Sequence, residues 1–442
     1  MTAYPATPKG ERRPRVVAIA VVVAVIIVAV GVWASAPWRT ERSLESLAGV
    51  EHVHRSGTYF EVVMNCGIDA AASAASYRSI LATADSPVLG RIVITHGPIS
   101  TTVLSPAPGV APHQPAGDAA ALLCADPHIA SATLDFRGTL DVSLLPGTDV
   151  AEWMRMAVGT LAELGRPMRI DAADGEKAIS LSTGEQWQLD LYDQVATTAP
   201  QASIIEFAVG QNQPPDVEVD LSVTDREAAG ATGAALTQWA PTVPVTLTGT
   251  MEVADALVIE GITDPEAAFE AVADLEAAGG RVLRIDTSVS EVFVGVDDPA
   301  ELGALADGLP GMSLSATTLV RVDGAGWVSG TAADMPERLG IAQRLWTDGW
   351  PEVRVIDPND SGLTHQFSIP ADPGYASPQA QREVFAAIRA AGWTGVSKIS
   401  VVSPNDTQVL SFRSTPDGTA QRISGTAEWM QPYVAAWNAT AG

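Results

Sequence analysis

One punctuated unit recurs along most of this chain and limits its fold more than any other feature. It is a helix opened by an acidic residue and closed by glycine, followed by two β-rich runs joined by a tight turn. Helices are expected to start near residues 38, 69, 116, 149, 184, 224, 264, 298, 334, 376 and 418, a mean step of 38 residues. A period of that size marks a supersecondary repeat, because one such unit cannot bury its apolar face alone and must stack on its neighbours. The clearest helix runs from Asp149 to Leu164, where Trp153, Met156, Ala157, Leu161 and Leu164 fall on one stripe. Asp149 stands at its N-cap with Glu152 three residues on, and Gly165 follows as the stop. Asp264-Pro265, Asp298-Pro299 and Asp334 open later helices, and Gly279-Gly280, Gly308 and Gly349-Trp350 close them. Aspartate ahead of proline supplies a cap, then a residue whose missing N–H costs nothing in the first turn. These aspartates have a structural task rather than a catalytic one.

Between the helices lie hairpin signals: 131–136 turning into 139–145, 281–285 into 291–296, and 353–357 into 363–369. Two successive helix–strand–strand units read as βαββαβ, the ferredoxin-like arrangement, with helices on one face of an antiparallel sheet. The expected fold class is therefore α+β, an N-terminal single transmembrane helix followed by tandem αββ repeats pairing into ferredoxin-like modules. The expected frame has an incomplete module over 37–98. Complete ones follow over 99–172, 177–250, 255–322 and 326–403, and 404–442 supplies a further strand and helix. Prolines 106, 108, 112 and 115 mark 105–117 as a connector within the second module.

The membrane expectation rests on Val16 to Trp33, 18 residues without a charge or side-chain polar group. At about 1.5 Å per residue such a helix approaches the ~30 Å hydrocarbon core, and continuing to Ala36 completes the span. Lys9, Arg12, Arg13 and Arg15 precede it with one acid, Glu11, so residues 1–15 are expected in the cytoplasm and the bulk outside it. A cleaved signal peptide ending at Ala34-Ser35-Ala36 is the alternative, and it places the bulk on the same side. The expected location is the cell membrane, single-pass, with the membrane a partner through residues 16–36.

A resemblance accompanies this reading. Leu44-Glu45-Ser46-Leu47-Ala48-Gly49-Val50-Glu51-His52-Val53 resembles the helix–Gly-Val–strand opening of BON-type modules in bacterial envelope proteins. The resemblance implies attachment to, or binding at, the envelope, with an envelope protein or cell-wall polymer as partner. It carries no site residues.

The net charge of −26 argues against nucleic acid as a partner, since such a surface repels phosphate. The acids are scattered rather than run together, so no acidic tail is indicated. At 46% apolar residues, a packed core is expected. Cys66 and Cys124 are the only cysteines, and outside the cytoplasm an even pair suggests one disulfide; two separate buried thiols are the alternative. His52 and His54, two apart on an expected strand, share a face and are candidates for a zinc site, with His96 or Cys66 as a third ligand. Their other reading is a pair of exposed strand residues. Asp357-Pro358-Asn359-Asp360-Ser361-Gly362 resembles the start of a calcium loop, but position twelve is Ser368 rather than Glu, and a turn is the better reading. Trp346 and Trp350, four apart near a helix end, read as core or as a ligand platform.

No nucleophile elbow, His-Glu-x-x-His, phosphate loop or dinucleotide fingerprint occurs, so neither catalysis nor a cofactor is expected. The expected function is binding or scaffolding at the cell envelope by a membrane-anchored extracytoplasmic protein. An envelope hydrolase with a site assembled from distant loops, or an extracytoplasmic sensor, are the alternatives.

Overall fold

The computed structural model describes residues 38–441, apart from 85–90, 105–113, 136–138, 165–167, 358–362, 393–395, 403–408 and the short gaps at 211, 255, 325, 372–373, 426–427 and 429–430. The described residues form two compact units. The first runs to Tyr192 and includes Glu206–Val209; the second holds Asp193–Ile205 and the chain from Gly210 onward.

In the first unit, helix α1 (38–45) leads into the hairpin β1 (Val50–Ser56) and β2 (Tyr59–Met64). Then follow α2 (Ala70–Ala84), the hairpin β3 (Arg91–His96) and β4 (Ile99–Leu104), and α3 (Gln114–Leu123). The hairpin β5 (Ile129–Leu134) and β6 (Thr139–Leu144), α4 (Val150–Ala162), and the hairpin β7 (Arg169–Ala173) and β8 (Ala178–Ser182) complete the series. Helix α5 (Gln186–Thr198) and strand β9 (Ala202–Val209) are divided between the units.

The second unit begins with β10 (Asp216–Val223), α6 (Arg226–Thr237), β11 (Thr246–Thr248), β12 (Thr250–Val253) and β13 (Leu257–Glu260). It continues through α7 (Glu266–Ala277), β14 (Arg281–Asp286), β15 (Glu291–Gly295), α8 (Pro299–Gly308), β16 (Leu319–Asp323) and β17 (Trp327–Thr331). Helix α9 (Met335–Thr347), β18 (Arg354–Ile356), β19 (Gln366–Pro370), α10 (Pro378–Gly392), β20 (Lys398–Val402), β21 (Val409–Ser414), β22 (Ala420–Ser424) and α11 (Gln431–Ala439) end it.

The αββ repeat is present, but its winding is not ferredoxin-like. In a ferredoxin-like module the two strands joined by a helix leave room for a third strand between them. Here they bond to each other directly. Strand β2 pairs in parallel with β3 from Tyr59↔Arg91 to Met64↔His96, and β15 pairs with β16 from Glu291↔Leu319 to Gly295↔Asp323. The same holds across α3, α4, α7, α9 and α10. Within each hairpin the pairing is antiparallel, as in β5–β6 and β16–β17. The sheet is therefore mixed and grows by one hairpin per repeat in chain order.

In most strands one set of alternating residues is buried and the other is half-buried or exposed, whereas β17, β19 and β20 bury both sets at their centres, enclosing Ser329, Ser368 and Ser400 as well. In β2, Phe60, Val62 and Met64 are buried, whereas Tyr59, Glu61 and Val63 are not. Helices cover the buried face, with α4 on β7 and β8, α7 on β14, and α9 on β17 and β18. Among the described residues no helix layer lies over the other face of β13 to β16, where side chains such as Glu260, Arg284, Phe293 and Arg321 stay half-buried or exposed.

The capping logic holds in part. The Asp149 carboxylate accepts from the Glu152 N–H at 3.0 Å, and Asp298 accepts from Ala300 and Glu301 ahead of Pro299. Gly279 and Gly349 close α7 and α9 at φ +92° and +91°. In each case the residue that follows, Gly280 or Trp350, donates back to Leu275 or Leu345. Asp264 is a correction: its φ is +51°, Pro265 takes the cap position and no side chain caps α7. Asp334 does stand at the N-cap of α9, but its side chain makes no cap hydrogen bond; its carboxylate accepts from Thr331 and faces Arg338. The helix expected near 418 is also corrected. Thr415-Pro416-Asp417-Gly418-Thr419 makes a turn, with Gly418 at φ +86°, that leads into β22, and the helix begins only at Gln431.

The membrane placement is corrected as well. Among the described residues no helix is long and apolar enough to cross a membrane. Helix α10, for example, is amphipathic: it exposes Arg382 and Glu383 and buries Val384, Phe385 and Ile388. The stretch 16–36 lies outside the described residues, so the structure supplies no single-pass anchor and no membrane side for the rest.

Two positions depend on unusual contacts. Gly249 sits between β11 and β12 at φ +142°, and a Cβ there would lie 1.9 Å from the Val219 carbonyl oxygen. It lets one continuous run pair in parallel with β10 on both sides of the break. Arg338 on α9 is buried and donates to the Ser329 carbonyl at 2.9 Å and the Asp357 carboxylate at 2.8 Å. Gly249→Ala should therefore lower stability by at least the ~1–3 kcal/mol that strained backbone costs, read as a fall in melting temperature. A second expectation follows from His365, which is buried with Nε2 3.3 Å from Glu337. Burial lowers its pKa, and the neighbouring carboxylate only partly restores it. The unfolded chain then takes up a proton that the native state refuses once pH falls below about 6.5. Stability is full above that value and declines below it. Urea denaturation at about pH 7.5 and about pH 5 should show a smaller decline for His365→Gln than for the parent.

Candidate functional site

Three side chains distant in sequence meet at one end of the first unit's sheet. Cys66 follows β2, His96 ends β3, and Cys124 continues the last turn of α3, its N–H donating to Ala120 at 2.9 Å. Parallel register places Met64 beside His96, so the loop carrying Cys66 leaves the sheet next to the imidazole. The two Sγ atoms and one ring nitrogen of His96 all lie within 4.8 Å of one another. Gly97, at φ +58°, turns β3 into β4 against them. A Cβ at Gly97 would stand 2.7 Å from Cys66 Sγ and 2.5 Å from the Cys124 carbonyl oxygen, so only glycine permits this approach. The pair proposed from the sequence as a disulfide is thus brought together, and both cysteines are free thiols in the structure.

Hydrogen bonds define the state of His96, which is 1% exposed. Its Nε2 lies 3.3 Å from the Asn65 carbonyl oxygen and 3.3 Å from Ser73 Oγ. A carbonyl only accepts, so Nε2 carries the hydrogen and donates to Asn65. Burial lowers the imidazole pKa and keeps the ring neutral. Nδ1 then holds the lone pair, and among the described residues it is buried without a hydrogen-bond partner. Cys124, 5% exposed, has its thiol pushed up to about 12, first by burial and then by Cys66. A thiol so far above the ordinary range is no nucleophile at neutral pH.

His52 and His54 do not join this group. They flank the buried Val53 on β1, opposite Val63 and Glu61, and are exposed. The period-two spacing does put them on one face, but it is the face away from the helices. His96 alternates with Ile92 and Ile94 on the covered face. The sheet itself therefore separates the candidates that the sequence grouped. Residues 358–362 of the calcium-like run lie outside the described residues, and Asp357 serves as the ion-pair partner of buried Arg338. Trp350 packs at 5.4 Å on Tyr375, which is buried; this supports the core reading for that tryptophan.

A shallow cleft of about 630 Å³ in the first unit is lined by His128, Asp149, Glu152, Trp153 and the exposed Leu145 and Met156. Asp126 fastens its wall, with one oxygen 3.0 Å from His128 Nδ1 and the other accepting from Trp153 Nε1 at 2.8 Å.

In the second unit the helix-free face carries a row of side chains across five adjacent strands. Glu260 on β13 pairs with Arg284 on β14, whose guanidinium stands 5.5 Å from the ring of Phe293 on β15. Arg321 on β16 covers the same ring at 5.0 Å and meets Glu291 at 2.6 Å. Phe293 then meets Trp327 on β17 edge-to-face at 6.1 Å. No sequence motif marks this row, because its members come from five separate runs.

No protein-family model, curated protein or solved structure matches the chain, so nothing in these comparisons bears on the resemblance to BON-type modules.

The two cysteines should differ in reactivity. In chelator-containing buffer near neutral pH, iodoacetamide should alkylate the half-buried Cys66 and leave Cys124 intact until the chain is unfolded; peptide mass spectrometry reads the ratio.

Proposed function

We propose that the chain is a non-catalytic binding scaffold that engages a macromolecular partner with the helix-free face of its sheet. The observation that carries this reading is the row Glu260, Arg284, Phe293, Arg321 and Trp327, which crosses five successive strands on the uncovered face. Repeat architectures build extended recognition surfaces in this way, one strand pair per repeat. Aromatic and arginine side chains are the types that anchor interfaces. Here they are held in place by neighbours on adjacent strands, so little side-chain freedom is lost on binding.

The row contributes little to folding, which lets binding and stability be separated. The Arg321–Glu291 pair is part-exposed, and such a pair is worth at most about 1 kcal/mol. With the Phe293 ring contact adding about 0.5–1 kcal/mol, Arg321→Ala should cost no more than about 2 kcal/mol in urea denaturation while weakening partner capture at least tenfold. A photo-crosslinking residue at Arg284, on the uncovered face, should trap the partner, whereas one at the exposed Arg344 on α9 should not. Adducts arising only from the helix side would refute the reading.

A further inference from the structure

We propose that Cys66, His96 and Cys124 form a binding site for one thiophilic divalent cation, with zinc the metal best suited to two sulfurs and an imidazole nitrogen. Both Sγ atoms and one ring nitrogen of His96 already lie within 4.8 Å of one another. Their chemistry is that of Cys and His zinc ligands, for which tetrahedral coordination is the rule. The imidazole is prepared for the task. Its Nε2–H is spent on Asn65, with Ser73 beside it, which fixes the ring and leaves the Nδ1 lone pair buried with no partner among the described residues. A hydrogen bond from the far nitrogen to a backbone carbonyl is the usual support for a metal-bound histidine.

The competing use of the cysteines is a disulfide. It would employ the two sulfurs but leave Nδ1 as it is, buried and unsatisfied, which costs free energy. A cation satisfies all three groups at once. On binding, each thiol loses its proton to solvent, so two protons leave per cation and no electron is transferred. Cys66 is half-buried, so solvent can supply a fourth ligand to the bound cation. The site ties the loop after β2, the end of β3 and the end of α3, so one ion fastens three successive repeats. Gly97 belongs to the same device, because any Cβ there would press on Cys66 Sγ.

The test uses the full chain, purified with reductant, stripped with chelator and titrated with Co²⁺. One equivalent should bind with a thiolate-to-cobalt charge-transfer band in the near ultraviolet and the visible absorption of tetrahedral cobalt, and Zn²⁺ should bleach both. Two protons should appear per metal in weakly buffered solution, and bound zinc should protect Cys66 from iodoacetamide. Ser73→Ala, which removes an outer partner, should weaken binding by about 10–100-fold, and Cys66→Ser by more than that. Because Cys66 is only half-buried, Cys66→Ser should keep the parent circular dichroism and chelator-treated melting curve. That separates ligand loss from misfolding. The proposal is overturned if both thiols react equally with and without zinc, if no charge-transfer band forms, or if Cys66→Ser retains parental affinity. It is likewise overturned if protein isolated without reductant is two hydrogens lighter than its reduced mass.

Discussion

Direct hydrogen bonding between the strands at either end of each helix is the constraint on which the rest of this structure depends. A short helix returning the chain beside the strand it left forces parallel pairing, and the following turn forces antiparallel pairing. Alternation of the two builds a sheet whose strand order is the chain order within each unit. Helices such as α4, α7 and α9 return over the face that collects the buried residues, and among the described residues the opposite face of β13 to β16 stays open. The covered face collects the apolar residues, and the open face is left to residues that satisfy one another, as Arg321, Glu291 and Phe293 do.

The same winding explains where chemistry collects. Loops that leave one end of adjacent parallel strands are neighbours in space whatever their separation in sequence. Cys66 and His96 are 30 positions apart, yet they occupy equivalent places after and at the ends of β2 and β3. Cys124 arrives by way of α3, which brings the chain back to the same end before β5. Three residues that no spacing rule would group thereby share one buried corner, and the glycine at the β3–β4 turn gives them room.

Much of the fold was legible from local signals. Caps at Asp149 and Asp298, glycine stops at Gly279 and Gly349, and alternating runs such as Glu291 to Val296 act within a few residues and are written where they act. Failures arose where a distant contact overrode the local signal. Asp264 reads as a cap, but its N–H is taken by Thr237 Oγ1 and its backbone turns left-handed. Asp334 takes the N-cap position it was read for, but Thr331 and buried Arg338 claim its carboxylate in place of the first-turn N–H groups. The segment Ala420 to Ser424 has little strand character of its own and becomes a strand by pairing with β21.

The sequence by itself determined the repeat, its period, most helix ends and the alternation of each strand, because these depend on backbone preferences and on periods of two and 3.6 residues. Tertiary structure alone decided the order in which hairpins join. A ferredoxin-like interleaving and direct addition use the same string of helices and strands and differ only in which distant edges bond. That choice placed His96 beside Cys66 and Cys124 on the covered side, and left His52 and His54 on the open one.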